Sequence, residues 1–168
     1  MSFQFSIFTE RLLINPLSTS DDHFILELLN TEGWIKFIGN RNIHSQTDAS
    51  AYIQKILNNE NLIYWIVKVK DNERAIGIVT FIKRDYLEYH DIGFAFLPEF
   101  SKKGYAYEAT KAVLNKLQMD HKLTHILATT MPENKASIEL LTKLGFAFEK
   151  EIEVEKETVL VYAASLIE

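Results

Sequence analysis

Residues 91–109 hold the densest set of groups able to do chemistry. They read Asp91-Ile92-Gly93-Phe94-Ala95-Phe96-Leu97-Pro98-Glu99-Phe100-Ser101-Lys102-Lys103-Gly104-Tyr105-Ala106-Tyr107-Glu108-Ala109. An apolar run is followed by a short basic turn, and the turn opens directly into a helical pattern. The first amides of a helix lack intrahelical partners and sit at the positive end of its dipole, which suits phosphate oxygens. Gly104 lets the backbone approach a ligand closely, and Lys102 and Lys103 add positive charge beside it. The chemistry implied is the docking of an anionic cofactor at that helix start, beside Gly104, Lys102 and Lys103. Along the preceding strand, Asp91, Gly93, Ala95 and Leu97 share one face, and Ile92, Phe94 and Phe96 share the other. The first face is small-sided at Gly93 and Ala95, leaving room for a ligand with a carboxylate at its end.

The rest of the chain must position that segment. Its 168 residues, 47% hydrophobic and 24% charged, suit one globular domain covering residues 1–168. Eighteen basic against 23 acidic side chains give a net charge of −5, which argues against a nucleic-acid binder and is compatible with a cationic acceptor. With no cysteine, disulfide and thiolate chemistry are excluded and a reducing cytoplasm is permitted. No apolar run reaches membrane-spanning length and the start is not a signal peptide, so the expectation is a cytoplasmic protein without a membrane partner.

Periodicity and punctuation predict a first strand at 11–16 and a helix to about Leu29, with Ser18 and Ser20 as caps and Asp21 and Asp22 in its first turn. An apolar, loop-like stretch spans 33–39. A helix is expected at 47–57, and a hairpin pairs 62–70 with 75–84 around Asp71-Asn72-Glu73. The strand 91–97, a helix from Gly104 to about Met119, a strand at 124–130 and a helix from Asn134 to Leu144, closed by Gly145, follow. A terminal strand pair, 146–154 with 158–166, completes a mixed α/β (α+β) sandwich.

Three segments then carry a family likeness: Thr9-Glu10-Arg11-Leu12 with Pro16-Leu17; Ile92-Gly93-Phe94 through Pro98-Glu99-Phe100 to Gly104-Tyr105-Ala106 and Glu108-Ala109; and Asn134, Ser137, Leu140-Leu141 and Lys143-Leu144-Gly145-Phe146. The chain resembles the GNAT superfamily of acetyltransferases, and most of all its ribosomal-protein N-terminal (alanine/serine) acetyltransferase branch. The resemblance implies a mostly antiparallel central sheet flanked by helices and acetyl-CoA as co-substrate. It places the pantetheine arm along the backbone of Phe96 and Leu97, where two strands splay, and the pyrophosphate on the amides from Lys102 to Tyr107. Two positions depart from the superfamily: Ser101 stands where Arg or Gln is usual, and Leu141 where many members have a tyrosine.

Under that resemblance Asp91 is the candidate general base, through water, and Ser137 the candidate acid for the departing thiolate, while Asn134 caps its helix and can touch the pantetheine. Trp34 and Phe37 fall where relatives build the acceptor wall. His90 points to the opposite face and reads as structural. An α-amino group, with a pKa of about 7.8, is roughly 14% neutral at pH 7, against roughly 0.04% for lysine. A single acid suits the easier amine, so the acceptor expected is a peptide N-terminus or a small-molecule amine, on a monomer or homodimer. Glu149, Glu151, Glu153, Glu155 and Glu157 alternate with Phe148, Ile152 and Val154 opposite, an arrangement that reads as a solvated face or as an acidic wall for a basic substrate. The five histidines show no metal-ligand spacing. The rival functions are a detoxifying small-molecule acetyltransferase and a non-catalytic acyl-CoA sensor.

Overall fold

A computed structural model describes residues 2–167, and among them eight strands form one sheet in the order β1-β2-β3-β4-β5-β6-β8-β7. The strands are β1 (Ile7–Phe8), β2 (Leu12–Pro16), β3 (Leu62–Val69), β4 (Ala75–Ile82), β5 (Asp91–Phe96), β6 (His125–Thr130), β7 (Ala147–Val154) and β8 (Glu157–Ser165). Five helices accompany them: α1 (Asp22–Leu29), α2 (Glu32–Phe37), α3 (Gln46–Leu57), α4 (Tyr105–His121) and α5 (Lys135–Lys143). Every strand pair is antiparallel except β5 with β6.

The period of two along each strand sorts the apolar side chains into two cores. On one face Trp65, Val67, Val79 and Ile92 pack beneath Ala109, Val113 and Leu117 of α4 and Leu141 of α5. On the other, Ile66, Ile78 and Leu97 pack beneath Ile25 and Leu28 of α1, Trp34 of α2 and Ile53 of α3. Gly77 has a packing reason to be glycine. It lies opposite Phe96, whose ring covers it so closely that an added Cβ would come within 2.3 Å of the ring.

Three features differ from the sequence reading. The short strand β1 pairs with β2 and was not expected. The stretch 33–39 is not a loop: Thr31 caps α2 by accepting the Trp34 N–H, with Glu32 in the first turn. Gly33 and the shortness of the segment hide that helix from periodicity. Finally, the register shifts between Phe148 and Lys150, so Glu149 sits in a bulge and the alternation of β7 is broken. Phe148 lies opposite Tyr162 of the α4 core, on the same face as Glu151 and Glu153, whereas Lys150 and Ile152 share the other face with Val161. The glutamates therefore build no continuous wall.

Replacing Gly77 with alanine pushes on Phe96 and is expected to destabilise the protein by about 1–3 kcal/mol through overpacking. Urea unfolding reads this as a lower midpoint at constant slope; a midpoint matching the wild type would refute the contact.

Candidate active site

The site begins where the sheet stops being continuous. β5 and β6 share a single register pair, Asp91 with Leu127, fixed by the Leu127 N–H donating to the His90 carbonyl at 3.0 Å. Beyond it the strands part. Leu97 donates its N–H to the Ile76 carbonyl at 2.8 Å, and antiparallel alternation puts Ala95 and Gly93 in the same phase against β4. Phe94 and Phe96 therefore turn their N–H and C=O toward the gap. Four consecutive residues, Gly93 to Phe96, are only half-buried, although β5 lies inside the sheet. An opening thus runs along β5 over these four residues, about 13 Å at roughly 3.3 Å per residue. Of the two residues expected to face a pantetheine arm, Phe96 keeps its backbone groups free, whereas Leu97 has committed its N–H to Ile76 and its carbonyl to Phe100.

At the open end of the cleft lies the basic turn. Lys102 and Gly104 both adopt positive φ (58° and 81°), curling the chain into a concave arc of amides. The first α4 hydrogen bond runs from Glu108 N–H to the Gly104 carbonyl at 3.0 Å, which leaves the Tyr105, Ala106 and Tyr107 amides unengaged by the helix. Ser101 spends its hydroxyl on the Pro98 carbonyl at 2.7 Å. The guanidinium that Ser101 lacks comes instead from the start of β2. Arg11 donates Nη1 to the Lys103 carbonyl at 2.9 Å and Nε to Glu108 at 2.7 Å, and lies 4.3 Å over the Tyr105 ring. Glu108 also accepts from the Thr9 hydroxyl at 2.6 Å and the Arg11 amide at 2.9 Å. Burial opposes ionisation of Glu108, yet the bonds from Thr9 and Arg11 outweigh it and hold its pKa below the ordinary value.

At the closed end stands Asp91, which is 2% exposed. Its Oδ2 accepts from Arg84 Nε at 2.8 Å and from the Thr129 hydroxyl at 3.1 Å, while Oδ1 is buried without a protein partner. Burial pushes its pKa up, against the opposing pull of Arg84 and Thr129. Asp91 lies on the α1–α3 face of the sheet. Ser137 lies in the first turn of α5, on the opposite face, half-buried and with no recorded bond from its hydroxyl, while Asn134 caps the helix by accepting the Ser137 N–H at 3.2 Å. The two candidates thus flank the gap without touching.

Trp34 is 5% exposed and packs in the second core, and Phe37 is half-buried. His90 stacks on Phe81 at 4.3 Å, a structural role. Arg84, Thr129 and the Thr9–Arg11–Glu108 brace were missed by sequence reasoning. Among the described residues no cluster of His, Asp and Glu could hold a metal, and no helix is long and apolar enough to cross a membrane.

A family model described as an acetyltransferase (GNAT) domain matches residues 11–147. The chain belongs to the GNAT acetyltransferase family. This GNAT protein is 31% identical over 139 residues to the uncharacterized N-acetyltransferase YnaD of Bacillus subtilis, covering 83% of this chain and 81% of that one. It is 32% identical over 78 residues to the ribosomal protein uS5-alanine N-acetyltransferase of Escherichia coli, covering 45% and 40%. The spermidine N-acetyltransferase of Vibrio cholerae, solved with CoA and spermine, superposes with a TM-score of 0.79 at 19% identity, over 94% of this chain and 96% of that one. The mixed, mostly antiparallel sheet between helices is the family's architecture, and the protein is an N-acetyltransferase.

Because the folded-state pKa of Glu108 is depressed, its brace contributes stability at neutral pH and loses it as pH falls below the ordinary value of 4.5. Glu108→Gln is expected to cost about 1–2 kcal/mol at pH 7, with the gap from wild type closing below that pH. Denaturant midpoints measured across the range test this, and a gap independent of pH would contradict it.

Proposed function

We propose that the enzyme transfers the acetyl group of acetyl-CoA to an α-amino group, a peptide N-terminus or a small molecule of comparably low pKa. The observation that carries the reading is the cleft. Free strand amides at Phe94 and Phe96 lead from a concave arc of helix-start amides to a buried carboxylate, and this fits a long ligand with a diphosphate at one end. When bound, acetyl-CoA supplies an activated acyl thioester. In this reading the 102–107 amides hold the diphosphate with Lys102, Lys103 and Arg11 alongside, and Phe96 holds the arm while Asn134 touches it.

Asp91 takes a proton from the incoming ammonium through a water on Oδ1, the one carboxylate oxygen free to accept it. Burial raises its pKa above that of an ordinary aspartate, which makes it a stronger base, while Arg84 and Thr129 oppose that shift. Ser137 donates a proton to the departing thiolate from across the gap. An α-amine needs only a modest base, since its neutral fraction exceeds that of lysine by a factor worth about 3.5 kcal/mol.

The tests follow the roles. Titration calorimetry should detect CoA binding, and weaker binding when Gly104 is changed to valine, because a β-branched residue cannot hold the positive φ. Asp91→Asn should lower kcat/KM by roughly 10²–10⁴-fold, and remove an acid limb that in the wild type lies above the ordinary aspartate value of 3.8. Ser137→Ala should lower kcat with CoA binding intact. An Asp91→Asn enzyme with the wild-type pH profile excludes that residue as base.

A further inference from the structure

We infer that the acceptor carries a carboxylate close to its reacting amine, and that Arg84 binds it. The inference rests on the acyl-transfer reading above and concerns a pocket to which that reading gives no ligand. Across the α1–α3 face, the register sets Tyr64 of β3 opposite Thr80 of β4, and Thr80 opposite Gly93 of β5. The neighbouring row, Ile66, Ile78 and Ala95, lies in the second core under α1 and α3. Leu62 and Tyr64 carry the packing against that core past this row, and the polar groups of Thr80, Asp91 and Arg84 gather beside them, at the point where β5 and β6 part. Thr80 holds that polar floor low: its hydroxyl lies 2.6 Å from where a Cβ on residue 93 would be, so only glycine leaves the space open.

Arg84 overlooks this floor from the segment after β4. It spends Nε on Asp91, and neither Nη atom has a protein partner among the described residues. Its side chain is 34% exposed, so the two Nη groups are reachable from solvent while the stem is anchored. Tyr64 stands close by, with Tyr52 of α3 beside it. Burial and the neighbouring Tyr52 push the Tyr64 pKa up, so its phenol stays protonated and can donate a hydrogen bond. The field of Arg41 also reaches Tyr64. A planar guanidinium with two free N–H edges, beside a neutral phenol, is the donor set for a carboxylate.

Charge points the same way. Asp91 and Arg84 neutralise each other, and the β7 residue sharing Asp91's face next to the bulge is Lys150, while Glu151 and Glu153 point to the opposite face. A polyamine would bring only positive charge to this pocket. A zwitterionic acceptor instead places its carboxylate on the Arg84 Nη atoms and its ammonium toward Asp91, which sits at the other end of the same ion pair. The carboxylate can be the side chain of an acidic first residue in a peptide, which leaves the α-amine at the low pKa of a peptide N-terminus, or the α-carboxyl of a free amino acid, whose amine is more basic and less often neutral.

The experiment compares kcat/KM of the wild-type enzyme, expressed per neutral amine, for free amino acids, the corresponding amino acid amides, peptides beginning with aspartate or asparagine, and spermidine. A preference of about 10- to 100-fold for the acid over its amide, carried mainly by KM, is expected for at least one pair. A preference confined to the peptides assigns the carboxylate to the side chain; one confined to the free amino acids assigns it to the α-carboxyl. Arg84→Lys keeps the partner of Asp91 but loses the fork, and should collapse that ratio toward one while CoA binding heat is retained. Turnover with amides or spermidine equalling or exceeding the acids overturns this inference and leaves the acyl-transfer reading standing. No CoA heat and no turnover with any amine overturns both.

Discussion

A sheet that opens in its own interior is the constraint on which the rest of this structure depends. Strand amides inside a protein are nearly always paired, because an orphaned buried group costs free energy comparable to a lost hydrogen bond. Here β5 keeps its ladder with β4 and abandons β6 after one pair, which leaves a line of donors and acceptors at the centre of the fold. Water can satisfy them only because the cleft is accessible, and this is why four central-strand residues are half-buried. A ligand with alternating amide groups could replace that water and complete the sheet's pairing. Asp91 and Ser137 lie on opposite faces of the sheet, on either side of that opening.

An opening of this kind needs its rims fixed. One rim is held by the Thr9–Arg11–Glu108 network, which ties the turn before β2 to the first turn of α4. The other is held by Asp91, Arg84 and Thr129, which join the β4–β5 connection, β5 and β6 at the last point of contact. Both clusters combine a carboxylate with a guanidinium and a threonine hydroxyl, and each links segments far apart in the chain. In each the carboxylate is the more buried partner, so removing the guanidinium leaves a poorly solvated charge, and the pair fixes geometry as well as adding stability. That suits rims that must hold their separation against the tendency of neighbouring strands to zip together.

Much of this was legible in the residues. The turn at 101–104 and the helix start after it announce themselves by Gly104, the lysines and the change of period, and the cap at Asn134 is where its side chain predicts. α2 was hidden by Gly33 and by being six residues long, and the faces of β7 by a one-residue bulge that nothing local signals. That Asp91 is buried and hydrogen-bonded could not be read from its place at the start of a strand. Its burial depends on Arg84 and Thr129, and no local pattern reports which strands meet. The spacing of Arg11 and Glu108, 97 residues apart, likewise carries no signal, although both residues lie in segments that carry the family likeness.

The strand order has a consequence for how the chain reaches this state. From β1 to β5 each strand pairs with its predecessor in sequence, so that half closes mostly short loops and has low contact order. β6 must return across α4 to find β5, and gains one backbone pair for doing so. During synthesis the amino-terminal meander can therefore finish its ladder before the last third of the polypeptide has left the ribosome. The carboxy-terminal strands then dock as a second unit, joined at a seam that a bound ligand would knit.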